Sequence, residues 1–172
     1  MHSISVGISS CLLGNKLRYD GSHALDLDIK NTLGQYFQWL PICPETEYGL
    51  SVPREPMILK GNIYNPRLVT IFTELDHTDG MLRWAAKKNG PLKQAGLCGY
   101  IFKSKSPSCG LYNVKIYQGS EIIYNKGIGL FSRSFTDQFP QLPVIDEVRL
   151  HDPSLRKEFI EGVMDYDRLR TA

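Results

Sequence analysis

"VGISSCLLG" (residues 6–14) is an apolar, strand-like run that ends on a cysteine and gives way at once to a glycine-closed loop. A thiol at a strand end has three readings: a buried small hydrophobe, a nucleophile, or a metal ligand with partners elsewhere in the chain. The surrounding "SISVGIS" (3–9) alternates apolar and small residues, as a strand does. The pattern recurs. "QWLPIC" (38–43) reads as a second buried strand ending on Cys43, with Pro41 as its weak point. "LCGYIFK" (97–103) is a third, a few residues before Cys109 in "FKSKSPSCG". "RLVTIFTEL" (67–75) and "LPVID" (142–146) are shorter strands, and "NVKIYQGSEIIYNKG" (113–127) is a hairpin with Gly119–Ser120 at its tip.

Helical patterns fall between these strands. "ALDLDIKNTLGQYF" (24–37) places Leu27, Leu33, Tyr36 and Phe37 along a helix with Gly34 as its weak point. Thr78 or Asp79 caps a helix over "GMLRWAAKKNG", ended by Gly90 and Pro91. "GLFSRSFTDQF" (129–139) carries a helical stripe. In the tail, Asp152 is an N-cap and Pro153 suits the first helical position, with Leu155, Phe159, Val163 and Tyr166 on one face. Alternating helices and short apolar strands predict an α/β fold. The expectation is a single domain over 1–146 with a mostly parallel central sheet and helices on both faces, a Rossmann-like three-layer arrangement. Residues 147–172 form a C-terminal helical extension packed on it.

The 172 residues carry 20 Lys and Arg against 18 Asp and Glu, a net charge of +2. Residues 147–172 hold five basic and six acidic side chains, so the upstream part is at +3. Such a balance permits contact with a phosphate backbone without demanding it. Lys16, Arg18, Lys60, Arg67, Lys87, Lys88, Lys103, Lys105, Lys126 and Arg133 are the candidates for an RNA path. No stretch approaches the roughly 20 apolar residues that span a bilayer. "MHSISVG" lacks the marks of a signal peptide, so the expected location is the cytoplasm, where thiols stay reduced.

Cys11, Cys43 and Cys109 each follow a strand, and loops after parallel strands gather at the carboxyl edge of a sheet. Three distant thiols therefore converge on one point. Cys98, just inside its strand, reads as a buried small hydrophobe. No C-x-x-C pair of a structural zinc site is present, and His2, His23, His77 and His151 lie outside the three motifs. Three thiolates also suit a 4Fe-4S cluster with one open iron; spacing alone does not separate it from zinc. Glu45, two residues past Cys43, is the candidate general base or acid, in an apolar pocket that raises its pKa. "KSKSPSC" offers Ser104, Ser106 and Ser108 as hydroxyls and Lys103 and Lys105 as cations. Arg18 and Asp20 of "RYDG" and Arg54 of "GLSVPREP" are candidate substrate contacts, Arg54 as a fork-shaped clamp.

Together "SSCLLG…RYDG", "CPE…GL..PR.P" and "KSKSPSCG" resemble the thiouracil and thiouridine desulfidases, over roughly residues 4–146. The resemblance implies a 4Fe-4S cluster held by Cys11, Cys43 and Cys109, whose fourth iron takes the sulfur of a thiolated pyrimidine. It implies that Glu45 moves protons and that a serine of "SPSC", Ser106 ahead of Ser108, assists. The C-terminal extension favours the members that act on 4-thiouridine, free or in tRNA, over those acting on free 2-thiouracil, and suggests a separate helical partner domain. Two other classes stand against this one. A sulfur-delivering tRNA enzyme needs an ATP-binding glycine-rich loop, which "GISSCLLGNK" lacks. A non-catalytic iron–sulfur or zinc sensor that binds RNA needs no Glu45.

Overall fold

The computed structural model describes residues 3–172; Met1 and His2 lie outside the described residues. The opening run forms β1 (Ile4–Ser9), whose Val6 and Ile8 are fully buried. It pairs on one side with β2 (Phe37–Ile42) and on the other with β5 (Gly99–Phe102), which in turn pairs with β8 (Val144–Asp146). All pairings in this sheet are parallel, in the order β2-β1-β5-β8.

Helices cover both faces, as the alternating pattern predicts. On one face, Ile29 of α1 (Leu27–Thr32) and Phe159 and Val163 of α6 (Pro153–Thr171) share a core with Val6, Ile8 and Ile101. On the other, Ala85 and Leu92 of α3 (Thr78–Gln94) and Phe131 and Phe135 of α4 (Leu130–Gln138) pack on Tyr100 and Phe102. Burying Phe159 and Val163 is worth about 1.5–3 kcal/mol each, enough to dock the tail helix firmly. Asp152 caps that helix as expected, accepting from the Ser154 and Leu155 amides.

A second sheet was not anticipated. β3 (Met57–Gly61), β4 (Pro66–Thr70), β6 (Val114–Gln118) and β7 (Glu121–Gly127) line up as β4-β3-β6-β7. Met57, Leu59, Leu68, Val114 and Ile116 pack against Met81 of α3 and Leu130 of α4, adding a fourth layer. The 113–127 hairpin is as expected, but "MILKG" is too short to announce itself as a strand. The strand expected over 67–75 stops at Thr70, because Glu55 gathers the Phe72 and Thr73 amides into a turn. Ile71, Phe72 and Leu75 are exposed in consequence.

Two helices also differ from expectation. The 24–37 helix is only Leu27–Thr32 followed by a 3-10 turn at Leu33–Gln35; Leu33 and Phe37 are buried, Leu27 and Tyr36 exposed. α3 does not end at Gly90–Pro91 but continues to Gln94, since the buried Leu92 holds its last turn on the core. Neither Thr78 nor Asp79 caps it. Thr78 Oγ1 accepts from the Leu68 amide and Asp79 faces Arg67, while Asp76 accepts from the Thr78 amide.

The strand order places the site. From β1 the chain moves outward to β2 on one side, and later to β5 and β8 on the other. The crevice between β1 and β5, at the carboxyl ends, is the topological switch point where open α/β sheets bind ligands. Short α2 (Pro44–Tyr48) and α5 (Glu147–Leu150) begin there, directly after β2 and β8.

Candidate active site

Cys11, Cys43 and Cys109 line one cavity of about 300 Å³ at this crevice, with Glu45 beside them. Each is delivered by local chemistry. Cys11 sits in a 3-10 turn, Ser10–Leu13, that closes on Gly14 at φ +94, a conformation glycine adopts without strain. The Cys11 carbonyl accepts from the Gly14 and Ala24 amides. Cys43 is the residue before α2, with Pro44 preset for the first helical position; its N–H donates to Glu47 Oε2. Cys109 lies in a tight turn where Ser106 Oγ accepts from the Ser108 and Cys109 amides at 3.2 and 2.9 Å. Close backbone approach makes glycine necessary around it. A Cβ on Gly110 would lie 2.6 Å from the Ser106 carbonyl oxygen, and one on Gly129 2.6 Å from that of Ser108.

The thiols share one electrostatic environment. Burial pushes the Cys11 thiol up to about 11; Lys103 pulls it down and Cys43 pushes it further up. Burial drives the Cys109 thiol well above the ordinary range; a Ser9 hydroxyl contact lowers it, while Cys11 and Cys43 raise it. Both shifts keep these two thiols in the protonated form at neutral pH. Among the described residues, no three His, Cys, Asp or Glu side chains are grouped closely enough to share a single metal ion.

Glu45 lines the cavity, but as half of an ion pair and not as the isolated carboxylate that the sequence predicts. Its Oε2 accepts from Arg54 Nε at 2.6 Å and its Oε1 from Ser108 Oγ at 2.9 Å. The pair is enclosed, with side chains 14% and 7% exposed. Arg54 also donates from Nη2 to the Leu17 carbonyl and from Nη1 to that of Ser51. Its fork is engaged by the protein, so it positions Glu45 and is not a free clamp. The two serines differ in setting. Ser108 is fully buried and bonded to Glu45; Ser106 lines the cavity, and no acceptor for its own hydroxyl proton is found among the described residues.

The remaining expected residues scatter. Arg18 lines the cavity with Nη1 toward Ser22, whereas Asp20 is absorbed in its own turn, accepting from the Ser22 amide and hydroxyl. Lys105 lines the rim in a left-handed conformation, φ +61. Lys103 is held by Glu147, a residue the sequence reading left in the tail. Ser9, buried at the end of β1, was also missed; its Oγ accepts from the Lys103 amide. The serine doublet beside Cys11 in "SSC" is the cue that could have found it. Cys98 is fully buried away from the cavity, its thiol directed to Asp167 and the Gly96 carbonyl, as a core residue. Of the cations proposed for an RNA path, Lys60, Arg67, Lys88 and Lys103 pair with carboxylates. No helix among the described residues is long and apolar enough to cross a membrane.

A family model described as 2-thiouracil desulfurase matches residues 6–147. The uncharacterized protein YbbK of Bacillus subtilis (strain 168) is 36% identical over 115 residues, covering 62% of this chain and 75% of that protein. The solved structure of a 4Fe-4S-dependent thiouracil desulfidase, TudS, superposes with a TM-score of 0.71 at 28% identity, covering 91% of this chain and 99% of that one. The family match takes in all four strand ends of the crevice, from β1 through the first residue after β8, and on that evidence this chain belongs to the 2-thiouracil desulfurase family.

Proposed function

We propose that this protein is a 4Fe-4S-dependent desulfidase that replaces the sulfur of a thiolated uracil with oxygen. The observation that carries the reading is the meeting of Cys11, Cys43, Cys109 and Glu45 on one cavity at the switch point. The donor set fits the cluster. Three thiols from separate strand ends line one shared cavity, a donor set that suits an iron–sulfur cluster. When bound, the cluster supplies an iron without a protein ligand, a Lewis acid for a soft thiocarbonyl sulfur.

The chain's own residues do the proton work. Glu45, oriented by Arg54 and Ser108, takes a proton from water as the water oxygen attacks the C=S carbon. It then returns that proton to the departing sulfur, and the second proton of the water leaves the new hydroxyl as the C=O forms. The balance is one C=S and one water giving one C=O, hydrosulfide and one proton, with no net electron transfer. Ser106 has a hydroxyl proton to donate to the ring or the attacking water. Substrate contacts come from Arg18 and Lys105 at the rim.

We favour 4-thiouridine as substrate: the base enters while the ribose stays at the rim, beside Arg18, Lys105 and the half-exposed Tyr19. Free 2-thiouracil is the second reading, favoured by a cavity at the lower end of small-ligand volumes. Anaerobically reconstituted protein is assayed for iron, acid-labile sulfide and sulfide release from 2-thiouracil, 4-thiouridine and 4-thiouridine-containing tRNA. A brown protein releasing sulfide from at least one substrate supports the reading. A colourless protein with one zinc per chain overturns it, and release from tRNA alone replaces the nucleoside by the RNA.

A further inference from the structure

The fourth strand end of the crevice brings a carboxylate that nothing in the proposed chemistry uses. Glu147, the first residue of α5, has a side chain only 12% exposed. Its Oε1 accepts from Lys103 Nζ at 2.5 Å and Ser104 Oγ at 2.7 Å, and its Oε2 from the Ser104 amide at 2.7 Å. The ammonium of Lys103 is further bonded to the Ser104 carbonyl and hydroxyl, both at 3.2 Å. Its three donors thus have three acceptors within the protein, and none is left for a substrate. The sequence expectation of Lys103 as a substrate contact is replaced by a different role.

Backbone geometry carries that role to Cys11. β1 and β5 are neighbours in register, Ile8 opposite Ile101, and the Lys103 amide donates to Ser9 Oγ at 2.9 Å. The Lys103 backbone is therefore held beside the strand end two residues before Cys11, its ammonium is pinned by Ser104 and Glu147, and Lys103 and Cys11 line the same cavity. A long lysine stem left alone extends into water; the Glu147 carboxylate holds it back. We infer that Lys103 and Glu147 form a positioning pair that fixes a positive charge beside Cys11 with a negative charge behind it, setting the electron demand of the cluster corner that Cys11 holds. The order of influences on the Cys11 thiol agrees: after burial, Lys103 is the strongest, acting to stabilise the thiolate, and Glu147 is weaker and opposed. Charges and hydrogen bonds around ligand sulfurs are a principal lever on iron–sulfur potentials.

This inference rests on the cluster reading above, so the two are tested in sequence. Iron and sulfide content of the wild-type protein tests the cluster; its absence overturns that reading and not the charge pair by itself. The pair is tested by the midpoint potential of the cluster, followed by electron paramagnetic resonance in a mediated titration of wild type, Lys103→Met, Lys103→Arg and Glu147→Gln. Glu147→Gln keeps an amide oxygen that, with the Ser104 carbonyl and hydroxyl, still holds the ammonium, so it removes the anion without releasing the cation. Removing the cation then lowers the potential, removing the anion raises it, and Lys103→Arg stays near wild type. Opposite signs separate a charge effect from a structural one, since loosened packing has no reason to distinguish the two. Iron content near wild type in the conservative Glu147→Gln and Lys103→Arg proteins keeps the comparison valid even if Lys103→Met loads poorly. Potentials that do not move, or that move the same way in Lys103→Met and Glu147→Gln, overturn the inference.

Discussion

Replacing Arg54 with methionine tests the claim that the site is built around an enclosed Glu45–Arg54 pair. The substitution keeps an unbranched apolar stem and removes every donor. Glu45 is then left with the Ser108 hydroxyl alone, in a place where its side chain is 14% exposed. Breaking a buried pair from one side costs about 3–5 kcal/mol, and partial exposure places this case near 3. The part-buried Leu17 carbonyl keeps only the long contact from the Cys43 thiol, adding about 1 kcal/mol. The Ser51 carbonyl is in an exposed contact and adds little. The total is about 4 kcal/mol, which lowers the melting temperature of a chain this size by roughly 8–16 °C. Arg54→Lys keeps the charge but not the fork, and loses about half as much. Adding Glu45→Gln to Arg54→Met removes the stranded charge, so the double variant is more stable than the sum of the single losses, with a coupling of about 2 kcal/mol. Urea unfolding of the anaerobic apo-protein, followed by tryptophan fluorescence and circular dichroism, measures all four. A loss under about 1 kcal/mol for Arg54→Met, with additive single effects, would refute the reasoning.

Glu45→Gln, with iron content unchanged, lowers turnover by about 10²–10⁴, the range for removing a general acid–base group; full turnover would strip Glu45 of its role. Alanine at Cys11, Cys43 or Cys109 abolishes stable iron binding, whereas Cys98→Ala retains the cluster and costs only about 1 kcal/mol of stability; iron assay and unfolding check both. Gly129→Ala places a Cβ 2.6 Å from the Ser108 carbonyl oxygen and 2.9 Å from the Cys109 amide nitrogen, and so costs about 1–3 kcal/mol while also weakening iron retention, although residue 129 is not itself a proposed ligand. Asp76→Asn reports on the second sheet. Hydrogen bonds from Thr78 and Arg67 outweigh partial burial and hold Asp76 at about 2, below its unfolded value, so its contribution is complete above that unfolded value and fades as the pH falls through about 2. Its side chain is 39% exposed, so the asparagine variant loses only about 1 kcal/mol near neutral pH, a difference that closes in acid denaturation series.

Much of this molecule is legible in local sequence. Strands β1, β2 and β5 announce themselves by apolar runs, the hairpin by its Gly119–Ser120 tip, and the tail helix by Asp152–Pro153. Once those strands are parallel, their cysteine-bearing ends have to share an edge, which is why three thiols far apart in the chain could be linked before any coordinates. Short-range rules fail where a contact decides the outcome. α3 continues past Pro91 because Leu92 is buried, β4 ends early because Glu55 reaches its turn, and β3 exists because Leu59 and Ile116 meet in register.

The candidate site divides along the same line. Sequence by itself determined which residue types stand at the strand ends: the thiols, the Glu45 carboxylate and the serine-rich loop, all coupled to local strand-to-loop patterns. Tertiary structure alone decided what those groups touch. Glu45 meets Ser108 across 63 residues and Ser104 meets Glu147 across 43. Such pairings leave no periodicity in the chain; they arise because separate strand ends are packed into one crevice, where a buried charge must find its partner.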